Sequence, residues 1–395
     1  MIAASGSRSR CVEPFAIDIP DEALADLKRR LHATKWPPVV DGMGWFEGTS
    51  QSYLRQLVKY WAEDFNWRAR ERELNSLPHY RWRRNGANIH FFHFRSERPD
   101  AIPLLICHGW PGGNIEFVEI AKALANPKSA RATAFHVVAP AMPGYGFSEA
   151  PRAAGTNIRE IAHLWARLMA DLGYERFGVQ GGDWGAWVAL RLAADYPASV
   201  LACHLNYLPA RYLPAPGDGG QDATEQEAGY LAARRLWIDE EFGYGHIQGT
   251  KPQTLAYGLS DSPTGLAAWI LEKFCAWSDC NGDIESVFSK DELLTNISIY
   301  WFTNTIYSSI RLYRESALEL RSSDSLLKRI ATPIGIAKFP MDFGYPPKSH
   351  LERFLNIVHW TEMPAGGHFA ALEKPELLAE DIQSFFGATE RERSA

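Results

Sequence analysis

The sequence predicts an α/β fold in which a mostly parallel sheet is covered by a helical lid and wrapped by an N-terminal segment. From about residue 100 onward, short apolar runs alternate with helical patterns, which is typical of a parallel, doubly wound sheet. Helical patterns rich in Trp and Tyr replace this alternation over residues 208–325 and predict the lid. Strand-like runs then return, so we expect residues 96–207 and 326–395 to form one core around the lid.

Residues 1–95 are expected to depend on that core, because their apolar faces need an external surface on which to be buried. Asp21 can cap a first amphipathic helix, and a second amphipathic helix follows it. Two strand-like runs, Tyr80–Arg83 and Ile89–Phe94, flank Asn85-Gly86, which is a strong hairpin signal. The segment is therefore predicted to contain two helices and a hairpin.

The core strands are predicted by six apolar runs: Ile102–Cys107, Phe135–Ala139, Phe177–Gln180, Leu201–Leu205, Ile334–Ala337 and Asn356–Trp360. A helix with one apolar face is expected between the second and the third run, from about Ile158 to Leu172. The lid follows the fourth run. It would lie over the carboxyl edge of the sheet, where open α/β folds have their ligand sites.

Composition and charge exclude several kinds of protein. The chain has 395 residues, of which 46% are apolar and 22% charged, and a net charge of −6 without a block of like charge. This is ordinary for a globular protein, and we expect no nucleic-acid partner. The five cysteines include no Cys-x-x-Cys pair, which favours a reducing compartment. Without a signal sequence or a long apolar span, the sequence predicts a soluble, cytoplasmic protein with no membrane partner.

The stretch GVQGGDWGAW, residues 178–187, has the pattern of a nucleophile elbow: a strand, a tight Gly-x-nucleophile-x-Gly turn and a helix. Asp183 stands where such a turn usually carries serine, and the chain contains no Gly-x-Ser-x-Gly. A carboxylate that attacks an sp³ carbon leaves an alkyl ester, which water can cleave at the enzyme's own carbonyl. An alkoxide would leave an ether that water cannot practically cleave. Asp183 therefore predicts an alkyl electrophile, either an epoxide or an alkyl halide.

An acid and a histidine follow Asp183 along the chain, each just after a predicted strand. Asp342 is the first carboxylate after the penultimate strand, and His368 follows the last strand in the sequence GGHF. This order of nucleophile, acid and base is that of the α/β-hydrolase fold. In that fold the oxyanion hole takes one N–H from the loop after the first core strand and one from the residue after the nucleophile. We assign these donors to Trp110, in the sequence HGWPG, and to Trp184.

The HGWPG loop, the GGDWG elbow and the C-terminal run NIVHWTEMPAGGHFAALEKPELLAEDI closely resemble those of microsomal-type epoxide hydrolases. The segment that begins PFAIDIP resembles the N-terminal region that wraps the catalytic domain in that family, so the resemblance covers residues 13–387. It implies a cofactor-independent enzyme whose partners are a small-molecule epoxide and water and whose product is a vicinal diol. Mammalian members carry a hydrophobic N-terminal anchor that this sequence lacks, which favours a soluble bacterial form.

The same resemblance implies a pair of acids. The family uses two lid tyrosines to hold and protonate the epoxide oxygen, and the stretches GYGHIQGTKP and RLYRE resemble those that carry them. These roles therefore fall on Tyr244 and Tyr313. Asp342 lies 26 residues before His368, which also fits the family's spacing. Detoxification, catabolism of aromatic hydrocarbons and secondary metabolism are all roles that such an enzyme can have.

Two other functions stay open. A haloalkane dehalogenase shares the Asp nucleophile and often a tryptophan after it, but it needs halide-binding donors and no acidic tyrosines. A non-catalytic binding protein on this fold would not need an intact triad. The aromatic residues of the lid suggest a pocket for bulky or aromatic epoxides, although they could equally be core residues. A homodimer is one assembly that the sequence allows.

Three histidines outside the triad receive structural interpretations. His108 precedes the HGWPG turn and is expected to be a buried residue that shapes the loop. His90 and His93 are three residues apart on a predicted strand, which places them on opposite faces and argues against a metal site.

Overall fold

The computed structural model describes residues 11–209, 224–322, 329–343 and 345–394. Residues 1–10 of the predicted N-terminal segment lie outside these ranges, as does the predicted change from lid to core at residues 325–326. The described part contains one sheet of nine strands in the order β1-β2-β3-β5-β4-β6-β7-β8-β9. The strands are β1 Val12–Pro14, β2 His79–Arg84, β3 Ala87–Phe94, β4 Ile102–Cys107, β5 Phe135–Pro140, β6 Phe177–Gly181, β7 Val200–Leu205, β8 Ile330–Lys338 and β9 Leu355–Glu362.

The helices divide into an N-terminal group, a core group and a group between β7 and β8. The first group is α1 Asp21–His32, α2 Gln51–Glu63 and α3 Trp67–Asn75. The core group is α4 Val118–Ala125, α5 Ile158–Asp171, α6 Asp183–Asp195, α13 Lys348–Leu351, α14 Ala370–Glu373 and α15 Pro375–Ser394. The inserted group is α7 Glu225–Glu241, α8 Gly243–Thr250, α9 Pro252–Asp261, α10 Pro263–Ala276, α11 Lys290–Thr303 and α12 Ile306–Ser322.

The sheet is parallel from β5 through β4, β6, β7 and β8 to β9, and the N-terminal hairpin β2–β3 joins it antiparallel to β5. The α/β-hydrolase fold with a mostly parallel sheet is thereby confirmed. Parallel strands bring their carboxyl ends to one edge. The ends of β4, β6, β8 and β9 carry the loops with the predicted site residues.

Apolar layers cover both faces of the sheet. On one face, α4 and α15 bury side chains such as Ile120, Leu124, Ile382 and Phe385 against the strands. On the other face, α5 and α6 pack into a larger cluster that is continuous with the side chains of the inserted helices. Burial on both faces explains why the core strands read as continuous apolar runs in the sequence.

The N-terminal helices are packed on the inserted helices, as their exposed apolar faces require. Trp61 of α2 is buried and donates its indole N–H to the hydroxyl of Ser298 over 3.0 Å. The prediction that Asp21 caps α1 is wrong in detail. Asp21 is the first residue of the helix and Pro20 is the N-cap, because the Asp21 carboxylate accepts a hydrogen bond from Arg68 instead of from the helix backbone.

Strand β8 begins four residues before the predicted run, at Ile330 instead of Ile334. Pro333 lies within this extension, and the pairing of β8 with β9 shifts its register between Ile330 and Pro333. Proline has no N–H for a strand ladder, so it hides the start of a strand from a sequence pattern. The added residues lie at the amino end of the strand and do not alter the site.

Candidate active site

The turn between β6 and α6 holds Asp183 in a strained backbone conformation. Its φ is +46°, a region that residues other than glycine rarely adopt and that occurs often at functional sites. A Cβ on Gly181 would lie 2.3 Å from the carbonyl oxygen of Gly185, and one on Gly185 would lie 1.8 Å from that of Cys107. Both positions require glycine, because the turn is packed against its own helix and against β4. The elbow predicted from the sequence is thus imposed by close packing.

The loop after β4 brings a backbone donor to Asp183. The N–H of Trp110 donates to Oδ1 of Asp183 over 2.8 Å. The chain can approach this closely because the preceding residue is Gly109, on which a Cβ would lie 2.1 Å from that oxygen. The predicted donor Trp110 therefore contacts the carboxylate directly.

Trp184, the second predicted donor, follows Asp183 in the first turn of α6. No hydrogen bond joins its N–H to Asp183 among the described residues. The first N–H groups of a helix have no partner within the helix, so this donor is available to an oxygen that gains negative charge. The role of Trp184 in an oxyanion hole stays a prediction.

His368 lies between Asp183 and Asp342, the two other residues of the proposed triad. Its Nδ1 is 2.8 Å from Oδ1 of Asp342, and its Nε2 is 3.4 Å from Oδ2 of Asp183. The side chain of Asp342 is fully buried and also accepts the N–H of Phe343. Burial by itself would lower the pKa of His368, but the two carboxylates outweigh it and raise that pKa to about 10. The imidazole is therefore protonated at neutral pH while both carboxylates are charged.

Glu373 holds the loop that carries His368 through hydrogen bonds to the loop backbone. The carboxylate of Glu373 accepts the N–H groups of Gly367 and Phe369, on either side of His368, each over 2.9 Å. The N–H of His368 itself donates to the carbonyl of Trp277. These bonds hold the imidazole at its position between the two carboxylates.

Tyr244 of α8 and Tyr313 of α12 are both buried above Asp183. Their ring centroids are 5.9 Å apart, and Tyr244 is stacked on Trp110 while the Tyr313 ring contacts Trp184 edge-on at 4.8 Å. Burial, reinforced by the charge of Asp183, raises the pKa of both phenols well above the ordinary value of 10. Both tyrosines are therefore neutral O–H donors at any physiological pH.

A cavity of about 310 Å³ opens over these groups. Its described lining includes Asp183, Tyr244 and Tyr313 together with Trp184, Trp187, Tyr207, Trp237 and Phe242. A larger cavity of about 1020 Å³ lies on the far side of Tyr244, between the N-terminal segment and α10, but Asp183 does not line it. The smaller cavity is the candidate substrate site, because it alone of the two reaches the carboxylate.

Glu116 belongs to the site, although the sequence reasoning missed it. A space of about 30 Å³, enough for one water molecule, is bordered by Asp183, His368, Glu116 and Asn206. Burial, with the charge of Asp183 adding to it, raises the pKa of Glu116 to about 8. No spacing rule identifies Glu116, since its position depends on the 3-10 turn Asn114–Phe117 after the HGWPG loop.

The three histidines for which the sequence predicts structural roles have structural partners. His108 is buried, and its Nε2 accepts the N–H of Met142 over 2.9 Å. Burial lowers its pKa to about 4, which keeps it neutral and fits the predicted loop-shaping role. Nε2 of His90 lies 3.1 Å from Nδ1 of His79, and Nε2 of His93 lies 3.0 Å from the hydroxyl oxygen of Tyr174. Within the described residues, no three His, Cys, Asp or Glu side chains are grouped as a metal site would require.

The sheet, the elbow and the nucleophile–acid–histidine geometry place the chain in the class of α/β-hydrolase-fold proteins. Residues 102–207 match the family model described as "alpha/beta hydrolase fold", and residues 12–117 match the model described as "Epoxide hydrolase N terminus". Epoxide hydrolase 1 of Oryctolagus cuniculus is 36% identical over 98% of this chain and 91% of that protein. The chain belongs to the microsomal-type epoxide hydrolase family and is a hydrolase.

Solved structures agree with this membership. Juvenile hormone epoxide hydrolase from the silkworm Bombyx mori superposes with a TM-score of 0.89 and 32% identity, covering 97% of this chain and 95% of that one. The epoxide hydrolase of Aspergillus niger superposes with a TM-score of 0.84 and 33% identity, covering 95% of this chain and 96% of that one. In the described ranges of the present chain, no helix has both the length and the apolar character needed to cross a bilayer.

Proposed function

We propose that the protein converts an epoxide to a vicinal diol through an alkyl ester on Asp183. One observation carries the proposal: a single carboxylate lines one cavity with two buried phenols, accepts the N–H of Trp110 and adjoins the His368–Asp342 pair. The phenols supply the proton that an opening epoxide needs. The other groups supply what an ester needs in order to be hydrolysed.

In the first step, Tyr244 and Tyr313 donate hydrogen bonds to the epoxide oxygen in the cavity above Asp183. Oδ2 of Asp183 attacks a ring carbon, because Oδ1 is held by Trp110 and is poised to become the ester carbonyl. The C–O bond of the ring breaks, its electron pair goes to the epoxide oxygen, and a tyrosine transfers its proton to that oxygen. No base is needed, since the nucleophile is already a carboxylate.

In the second step, His368 activates water. Formation of the ester removes the negative charge of Asp183 and leaves His368 with a single anionic neighbour, Asp342. The pKa of His368 therefore falls from about 10, so the imidazolium can give up its proton, which restores the phenol left as a tyrosinate by the first step, either directly or through solvent. The neutral imidazole can then accept a proton from water. Water in the space beside Glu116 and Asn206 attacks the ester carbonyl, and Oδ1 takes the developing charge. The N–H of Trp110, joined by that of Trp184, stabilises this charge until the diol leaves.

The experiment is diol formation from a panel of epoxides: styrene oxide, 1,2-epoxyoctane and cyclohexene oxide, analysed by chiral gas chromatography. We expect diol from at least one of them with the wild-type protein and none with Asp183→Ala. 1-Bromooctane and 1-chlorooctane serve as controls for the dehalogenase alternative, from which we expect no halide. Halide release without diol would overturn the proposal in favour of a dehalogenase, and no covalent adduct with any substrate would favour a binding protein.

We also propose that the protein acts in the cytoplasm of a bacterium. The observation in support is that all five cysteines are free, with the closest sulfur pair, Cys275 and Cys280, still 3.8 Å apart. Free cysteines are typical of a reducing compartment. Detoxification, catabolism and secondary metabolism are all compatible with the site.

Light scattering of the purified protein would test whether it forms the homodimer that the sequence allows.

A further inference from the structure

Aromatic side chains make up much of the lining of the substrate cavity, and α7 contributes a cation to it. Arg234 lines the cavity, and the central carbon of its guanidinium lies 4.5 Å from the ring centroid of Trp237, which lines it too. This stacking holds the guanidinium plane against the cavity wall, and no hydrogen bond from its N–H groups is seen among the described residues. His246 of α8 lies on the same lining.

No carboxylate neutralises Arg234 among the described residues. The described ion pairs do not include it, whereas Lys273, another lid cation, is paired with Glu272 and Glu241. Asp183 is the single carboxylate among the described residues that line the cavity, and it already contacts Trp110 and His368. Arg234 is partly buried, and a cation without a carboxylate partner at the wall of a largely apolar pocket is suited to bind an anion from outside the protein.

The charge of Arg234 acts on the interior of the cavity. Burial raises the pKa of Tyr207, a lining residue whose ring contacts His368, and the largest influence opposing that rise is the positive charge of Arg234. The same charge opposes the rise in the pKa of Tyr244. The positive charge of the guanidinium therefore contributes to the electrostatic potential at the place where the substrate would be bound.

We propose that Arg234 binds a carboxylate of the substrate, so that the preferred substrates are epoxides carrying a carboxylate at the end of an apolar chain. The guanidinium offers parallel N–H donors that match the two oxygens of a carboxylate. The apolar chain would lie along Trp187 and Trp237, and the epoxide would lie between Asp183 and the two tyrosines. This inference rests on the proposed function and names its substrate class.

The test compares terminal epoxy acids with their methyl esters, using 5,6-epoxyhexanoate, 7,8-epoxyoctanoate and 10,11-epoxyundecanoate. Each pair has the same epoxide and chain, so it differs in charge at one end. The proteins are the wild type, Arg234→Gln, Arg234→Lys and the matched control Arg235→Gln, which removes a charge from an exposed neighbour on α7 that does not line the cavity. The measured quantity is kcat/KM for diol formation.

For the best chain length, we expect the wild type to prefer the acid over its ester by roughly tenfold or more, as a charge-assisted bidentate hydrogen bond would produce. Arg234→Gln should abolish this preference by lowering kcat/KM for the acid roughly tenfold more than kcat/KM for its ester. Arg234→Lys should retain part of the preference, and Arg235→Gln all of it. Circular dichroism checks that each variant is folded.

Equal rates for acid and ester in the wild type would overturn the inference while leaving the proposed function intact. So would an equal loss for both substrates in Arg234→Gln, which would make Arg234 a structural residue. Absence of diol from every epoxide with the wild type would instead overturn the proposed function.

Discussion

Nε2 of His368 lies 3.4 Å from Oδ2 of Asp183, so the base adjoins a nucleophile that it does not need to activate. In a serine hydrolase the same neighbour would remove the proton of the nucleophile. Here the imidazole is protonated between two carboxylates, which raise its pKa to about 10. The arrangement separates the reaction into a first step that uses the imidazolium as a counter-ion and a second step that uses the imidazole as a base.

The variant His368→Gln tests this separation. Its second step should slow by roughly 10²- to 10⁴-fold, the range of general-base contributions, while its first step, which loses a counter-ion but no base, should slow far less. Mass spectrometry of the protein after mixing with substrate should therefore show an accumulated adduct on Asp183. Loss of both steps to the same degree, with no adduct, would contradict the account.

The wild type should show the same separation in its pH dependence. In the free protein, His368 stays protonated at pH values below its pKa of about 10. Ester formation should therefore vary little between about pH 6 and about pH 9. In the ester, the charge of Asp183 is gone and the pKa of His368 is lower, so hydrolysis should rise with pH until the imidazole is neutral. Rapid-quench measurements of the two steps would show this difference. A parallel pH dependence for both would count against it.

Tyr244 and Tyr313 should share the proton transfer. Both phenols have pKa values raised well above 10 by burial, so they remain donors across the accessible pH range. Each Phe variant should slow ester formation by roughly tenfold or more, and the double variant should lose almost all of it, in line with general-acid contributions of about 10²–10⁴. Circular dichroism checks that the double variant is folded. A double variant that still opens epoxides at the wild-type rate would exclude the tyrosines.

Gly109 should tolerate no side chain, whereas Gly113 in the same loop should tolerate one. A Cβ on Gly109 would lie 2.1 Å from Oδ1 of Asp183, while one on Gly113 meets nothing within 4 Å and has extended backbone angles. Gly109→Ala must displace the Trp110 donor or the carboxylate, so we expect a loss of roughly 10²-fold in kcat/KM. Gly113→Ala, the matched control, should stay within about twofold of the wild type. Similar losses of kcat/KM in both variants would show that the close approach of residue 109 to Asp183 does not cause the loss.

Glu116 should act as a neutral group. Its pKa is raised to about 8 by burial, so it keeps its proton at neutral pH and can donate a hydrogen bond to the water beside His368. Glu116→Gln preserves a neutral donor of the same size and should retain most of the activity at about pH 7, while Glu116→Leu should slow ester hydrolysis roughly tenfold. If the Gln variant is as slow as the Leu variant, the ionised carboxylate is required instead.

The fold could be predicted from the sequence because the core strands are buried on both faces and read as unbroken apolar runs. Strand β1 could not, since Val12–Pro14 has three residues and ends in proline. The nucleophile and its elbow could be predicted because Gly181, Asp183 and Gly185 lie within five consecutive residues. The packing of the turn permits only glycine at positions 181 and 185.

Other parts of the site depend on packing between distant segments. Glu116 and Arg234 carry no spacing signal, because each reaches the site through the position of a helix or turn that the rest of the fold sets. Tyr244 and Tyr313 lie on separate helices and were identifiable through family resemblance, since fifteen tyrosines give no basis for choosing two. Sequence patterns thus identify residues held by local geometry and miss those held by tertiary packing.

The most direct test of the central claim is a single turnover in H₂¹⁸O with protein in excess over epoxide. If Asp183 forms an ester that water cleaves at its carbonyl, one heavy oxygen enters the Asp183 carboxylate, and the first diol formed contains none. Digestion and mass spectrometry of the peptide that contains Asp183 would detect the label. Label in the diol during that first turnover, with an unlabelled Asp183, would mean that water attacks the epoxide directly and would contradict the account.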